Sequence, residues 1–181
     1  MSGATHRVFF ALWPDAAAAT HLTALAANLA AHTGRPIKAS ALHLTLEFIG
    51  DVSAADLVRL KEAAAKVVST RFDLALDRLG YWPRGGILWA GCNRPPEALR
   101  ELASALKGAL AHGGLERHDR HAGDFAPHVT LARRARCAKV PRVDTPIGWH
   151  VDRFVLAESH LHPSAASYRL LAEFPLAAAA P

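Results

Sequence analysis

Cysteine is almost missing: Cys92 and Cys137 are the only two in 181 residues, and neither sits in a Cys-x-x-Cys or other metal-ligand spacing. That argues against a thiolate metal site, and the pair reads as reduced thiols of a cytosolic protein. Long hydrophobic runs are also lacking. Val8 to Trp13 is apolar but is interrupted at Pro14-Asp15, too short for a secretion signal or a membrane span. No other stretch approaches spanning length, so we expect a soluble cytoplasmic protein with no membrane partner. Strong charge of one sign is the third absence: Lys and Arg outnumber Asp and Glu by only 21 to 16, with 11 histidines beside them. A polyanionic partner fits that balance but is not required by it.

The chain is 51% hydrophobic and 20% charged, the composition of a globular protein with a packed core. At this length residues 1–181 suit one domain, or two lobes sharing a core. Arg7 to Leu12 predicts a strand, and Pro14-Asp15 opens a helix that Thr33-Gly34-Arg35-Pro36 ends. The chain then returns through Ile37 to a strand at Leu42 to Leu46, closed by Gly50-Asp51. Ser53 with Asp56 resembles a capping box, and Leu57, Leu60, Ala64 and Val67 carry a helical stripe to about Val68.

Phe72, Leu74 and Leu76 alternate as a half-buried strand does, and with Gly86 to Cys92 they suggest a hairpin about Pro83-Arg84-Gly85. Pro95-Pro96-Glu97 starts a third helix that Gly113-Gly114 stops. A strand at His128 to Leu131 follows. Trp149 to Ala157 and Tyr168 to Phe174 are the last two, separated by Pro163-Ser164, and Ala177 to Pro181 reads as a frayed tail. This order lacks the strict alternation of a doubly wound parallel sheet. It predicts an α+β fold with mainly antiparallel sheets.

One pattern occurs twice: Leu42-His43-Leu44-Thr45-Leu46 and His128-Val129-Thr130-Leu131. In an extended strand His43 and Thr45 share one face, and His128 and Thr130 do the same, while the aliphatic residues take the other. One such copy arises by chance in roughly one chain in ten and two in roughly one in a hundred or fewer, so the repetition is the signal. If the strands lie side by side or across a cleft, two imidazoles and two hydroxyls converge. Histidine titrates near neutrality, so one ring can accept a proton while the other donates one. In-line displacement at phosphorus needs base and acid on opposite sides, which a two-fold pair supplies without a metal. The threonine hydroxyls and a nearby arginine can hold the phosphate oxygens.

Together with their flanks these motifs resemble the two-histidine (2H) phosphoesterases, and most closely the LigT-like RNA 2',3'-cyclic phosphodiesterases, once described as 2'-5' RNA ligases. The resemblance runs through Arg7-Val8-Phe9-Phe10-Ala11-Leu12, Gly34-Arg35-Pro36, Phe48-Ile49-Gly50-Asp51-Val52, Pro127 to Arg133, Glu158-Ser159 and Tyr168-Arg169-Leu170-Leu171. It implies two similar lobes about a pseudo-two-fold cleft, no cofactor or metal, and hydrolysis of an RNA 2',3'-cyclic phosphate to a 2'-phosphomonoester.

Carried over by residue, the resemblance makes His43 and His128 the acid-base pair, with a lean to His128 as base, and gives Thr45, Thr130 and Arg133 to the phosphate. Strict alternation would put Arg133 opposite His128, so it reaches the phosphate only if the strand ends or bulges near Ala132. RNA with a cyclic phosphate end, tRNA fragments included, is the expected partner, bound by a monomer.

Other residues are weaker candidates. Arg134 and Arg136 form a basic face that could track an RNA backbone. His118-x-x-His121 with Asp119 and Asp124 reads as a basic lip sooner than a metal site. His160 and His162 alternate at a strand end, and Phe9, Trp89 and Phe125 could stack on a base. Rival functions are reversible 2'-5' RNA joining, cyclic phosphodiesterase action on a small nucleotide, and non-catalytic binding of RNA ends.

Overall fold

The computed structural model describes residues 5–115, 125–137, 139–160 and 167–178. Seven strands form one antiparallel sheet in the order β10-β9-β1-β3-β7-β6-β5, with a short β2 beside β7. These are β1 (His6–Leu12), β2 (Arg35–Pro36), β3 (Leu44–Val52), β5 (Arg78–Trp82), β6 (Ile87–Gly91), β7 (His128–Arg133), β9 (Arg153–His160) and β10 (Ser167–Pro175). A separate ribbon pairs β4 (Phe72–Leu76) with β8 (Ile147–Val151). Three helices complete the α+β fold: α1 (Ala16–Thr33), α2 (Ala54–Ala64) and α3 (Glu97–His112).

The helices start where side chains satisfy their free N–H groups. Asp15 accepts from the Ala18 N–H at 2.8 Å, and Ser53 accepts from the Asp56 N–H at 3.1 Å. α3 ends where Gly114 takes a φ of 62° and the Leu115 N–H reaches back to the Leu110 carbonyl, a left-handed cap that glycine adopts at little cost.

Leu22 and Ala26 from α1, Leu60 from α2, and Leu99, Leu102 and Leu106 from α3 share one core with Val8, Phe10, Leu44, Val129 and Leu131 of the sheet. Strand alternation sends Phe9, Ala11, Val155 and Ala157 to the other face, where they form a smaller cluster. That second face carries the site. β1–α1–β3 and β6–α3–β7 repeat one order of strand, helix and histidine strand. The helices exchange partners: α1 packs on β7 and α3 on β3.

Five expectations need correction. α2 stops at Ala64, not near Val68, because the N–H groups of Lys66 and Val67 tighten onto carbonyls three residues back and the β-branched Val67-Val68 resist a further turn. β3 continues through Gly50-Asp51 to Val52. Phe72 to Leu76 forms no hairpin with the Gly86 to Cys92 run; the hairpin partner is Arg78–Trp82, whose central Gly80 obscured it, and β4 pairs with β8. The Trp149 to Ala157 run is two strands, because its buried positions slip phase between Val151 and Phe154. Finally, the tail begins anchored, with Ala177 exchanging backbone hydrogen bonds with Ser69 and Arg71. The Pro163-Ser164 turn lies outside the described residues.

Candidate active site

Leu44 of β3 pairs with Val129 of β7 at the centre of the sheet, and both are fully buried. In an antiparallel register one step to either side sets His43 beside Thr130, and Thr45 beside His128. The local two-fold thus passes between the two aliphatic residues. His43 lies between Leu42, which caps a 3₁₀ turn (Ala39–Ala41), and the start of β3, yet alternation is unbroken: Leu42, Leu44 and Leu46 are buried, while His43 and Thr45 are half-buried on the other face.

Both imidazoles are fixed by the same contact. Nδ1 of His43 lies 2.8 Å from the Ala41 carbonyl, and Nδ1 of His128 lies 2.9 Å from the Ala126 carbonyl. A carbonyl oxygen can only accept, so each Nδ1 carries the proton and each Nε2 is left for chemistry.

The rings differ in their walls. His43 is stacked on Trp13 at 5.4 Å between ring centres, with Phe9 at 4.8 Å and the edge of Tyr168 at 5.0 Å. His128 meets Trp82 edge-on at 4.5 Å and Trp89 at 6.3 Å. Trp89 fits there because its cross-strand partner is Gly80, where a Cβ would lie 2.0 Å from the indole. Of the proposed base-stacking residues, Phe9 is buried against His43, and Trp89 is packed with its Nε1 buried and unpartnered. Phe125 is exposed. Trp13 and Trp82 escaped sequence reasoning, since nothing local to them carries a motif, and Tyr168 entered it only as part of the resembling Tyr168-Arg169-Leu170-Leu171 segment, with no role at the histidines.

Burial pushes the His43 ring down to about 4; the Ala41 carbonyl opposes this, and the Arg133 and His128 charges add to it. His128 is lowered as well, first by burial and then by Arg133, against the pull of the Ala126 carbonyl. His43 therefore senses His128, and both rings sense a common arginine, so the pair favours carrying fewer protons than two free histidines would.

Arg133 reaches this face through a bulge. Trp89 pairs with Thr130 and Leu88 with Ala132, leaving Leu131 as an extra residue in β7. Leu131 and Ala132 consequently both turn inward and are fully buried, and Arg133 returns to the face of His128 and Thr130. Its charge acts on His43, His128 and Tyr168 alike. Arg134 then leaves the strand at a φ of 54°, and it and Arg136 are exposed.

His160 stands apart from the site, with Nε2 3.2 Å from Glu158, a carboxylate also held by His6 and Arg169. His162, and the His118-x-x-His121 segment with Asp119 and Asp124, lie outside the described residues. Among the described residues no helix is long and apolar enough to cross a membrane.

An antiparallel sheet that brings two His-x-Thr strands together at a local two-fold, with helices behind it, is the architecture of the two-histidine phosphoesterases. The chain belongs to the 2'-5' RNA ligase superfamily, whose model matches residues 13–163. It is 40% identical over 102 residues to the RNA 2',3'-cyclic phosphodiesterase of Escherichia coli K12, a segment spanning 56% of this chain and 56% of that protein. In sequence the match therefore covers little more than half of that relative's length. In structure the likeness runs further. The crystal structure of E. coli LigT in apo form superposes with a TM-score of 0.85 at 31% identity, covering 96% of this chain and 98% of that one. LigT complexed with 3'-AMP gives 0.83 at 31% identity, with 96% and 99% covered.

Proposed function

We propose that this chain hydrolyses 2',3'-cyclic phosphate at RNA ends to the 2'-phosphomonoester, with His43 and His128 as the acid-base pair. The observation that supports this reading is the twinned Nδ1 anchorage, which leaves both Nε2 atoms for proton transfer on neighbouring strands, with the His128 charge felt by His43. The names of the E. coli relative and of the 3'-AMP complex of LigT support a nucleotide phosphate as the ligand of such a centre.

Water attacks phosphorus while one Nε2 takes its proton. The bond from phosphorus to the 3'-oxygen breaks, and the other Nε2–H protonates that oxygen. Thr45 and Thr130 donate hydroxyl hydrogen bonds to the non-bridging oxygens, and Arg133 neutralises the charge that builds on them. The two motifs leave the roles symmetric, and the sequence leans to His128 as base. Burial favours the reverse. His43, the harder ring to protonate, is the better placed to stay neutral as base, and His128 is the acid. One chain carries both histidines, so a monomer suffices.

The test is an assay of oligonucleotides and tRNA halves ending in 2',3'-cyclic phosphate. His43→Ala and His128→Ala should each abolish turnover with the fold intact. Full turnover in either variant would refute the pair mechanism.

A further inference from the structure

A cavity of about 280 Å³ opens on the site face of the sheet, beyond Trp13. Register ties it to the phosphate centre: Thr45 pairs with Ala11, Ala11 with Val155, and Val155 with Glu173, so one row crosses β3, β1, β9 and β10 on a single face. Val155 and Glu173 line the cavity, together with Trp13, Trp149, Leu170 and Asp15. Two strand spacings separate Val155 from Thr45, about 10 Å. Trp13, half-buried, is stacked on His43 and meets Tyr168 edge to face at 6.0 Å, and it also lines the cavity.

The lining suits a flat heterocycle. Tryptophan, valine and leucine side chains supply apolar walls. Asp15 is taken up by the N–H groups of Ala18 and His150, whereas Glu173, which receives Arg153 on one carboxylate oxygen, can accept from a ring N–H or amino group with the other. A phosphate is disfavoured there, because Arg153 is already bound to Asp152 and Glu173, each at 2.9 Å. The base on the reacting ribose lies only a sugar's width from the phosphorus, short of a cavity that begins on the far side of Trp13. The next nucleotide along the strand spans that gap.

We propose that this cavity is a subsite for the nucleobase of the nucleotide 5' to the cyclised end, packed against the part of Trp13 that lines it. The proposal rests on the cyclic phosphodiesterase reading above and adds to it a preference for RNA over a mononucleotide.

The experiment compares a 2',3'-cyclic mononucleotide with a dinucleotide ending in the same cyclic nucleotide. Stacking of one base corresponds to roughly 5- to 150-fold in affinity, so wild-type kcat/KM should favour the dinucleotide by at least about fivefold. Leu170, exposed at the cavity rim, is replaced by tryptophan to fill it. Leu170→Trp should erase the preference by raising KM for the dinucleotide, while the mononucleotide stays within about twofold. Equal wild-type rates on the two substrates, or an equal loss on both in the variant, would overturn the subsite. Failure of the wild type on both would instead reject the parent activity. In that event binding of the 2'-phosphorylated dinucleotide, read by tryptophan fluorescence, decides the subsite: binding weakened by Leu170→Trp upholds it, and unchanged binding removes it.

Discussion

Arg133 and His128 lie on the same face of β7 although their odd spacing would place them on opposite faces of a regular strand, because Leu131 is an extra residue in the ladder with β6. This bulge is what allows one strand to present an imidazole, a hydroxyl and a guanidinium to a common centre.

Removing that guanidinium has two expected outcomes. Arg133→Ala should lower kcat/KM on a cyclic phosphate end by about 10²- to 10³-fold, the usual effect of losing one group that stabilises transition-state charge. It should also raise the pKa of both His43 and His128, since the Arg133 charge lowers each. NMR titration of the imidazoles reads the second effect without any substrate, and unmoved histidines would show that the arginine points elsewhere.

The pH profile follows from the same shifts. In the proposed mechanism the base must be unprotonated, which His43 is above about 4. The acid must be protonated, and His128 holds its proton only below an ordinary imidazole value that burial has already reduced. In the free enzyme kcat/KM should therefore peak on the acid side of neutrality and fall above it. An optimum above pH 7 would contradict the two depressed rings.

Stability carries its own signature. A histidine whose folded pKa lies below its unfolded value is neutral in both states at high pH, so it costs nothing there. Below the unfolded value of 6.5 the unfolded chain takes the proton first, and the folded state loses ground until pH falls to about 4. For His43 the loss is of order 3 kcal/mol across that window. Urea unfolding at pH 7.5 and 4.5 should show it, and His43→Asn should reduce the difference.

The acid and base can be told apart chemically. A substrate with sulfur in place of the bridging 3'-oxygen leaves without needing a proton. His128→Ala should regain most of its turnover on that substrate, and His43→Ala should not. Rescue in the opposite variant would return the base role to His128.

Glu158 gives a prediction away from the site. Burial pushes its carboxyl up, but hydrogen bonds from His6 and Arg169 and the charges of Arg169 and His160 outweigh this, leaving it lowered. Its contribution is present above the unfolded carboxylate range and is lost as pH falls through the folded value. Glu158→Gln should destabilise by about 1–3 kcal/mol, measured by urea unfolding at pH 7, with the surroundings of His43 and His128 unchanged.

Much of this protein could be read from local chemistry. The alternation around His43 and His128, the Ser53 cap of α2 and the glycines after α3 each depend on residues a few positions apart, so their patterns are complete in the sequence. Where the period slipped, a signal existed but was easily missed, as between Val151 and Phe154.

The sequence by itself determined that two strands would each offer an imidazole and a hydroxyl opposite a buried aliphatic face, because a period of two is a property of one chain segment. Only the tertiary structure decided that Leu44 would meet Val129, that Leu131 would bulge and turn Arg133 round, and that Trp13 and Trp82 would wall different histidines. Those outcomes belong to pairs of strands distant in sequence, and register between two strands is set by how both bury their apolar faces at once.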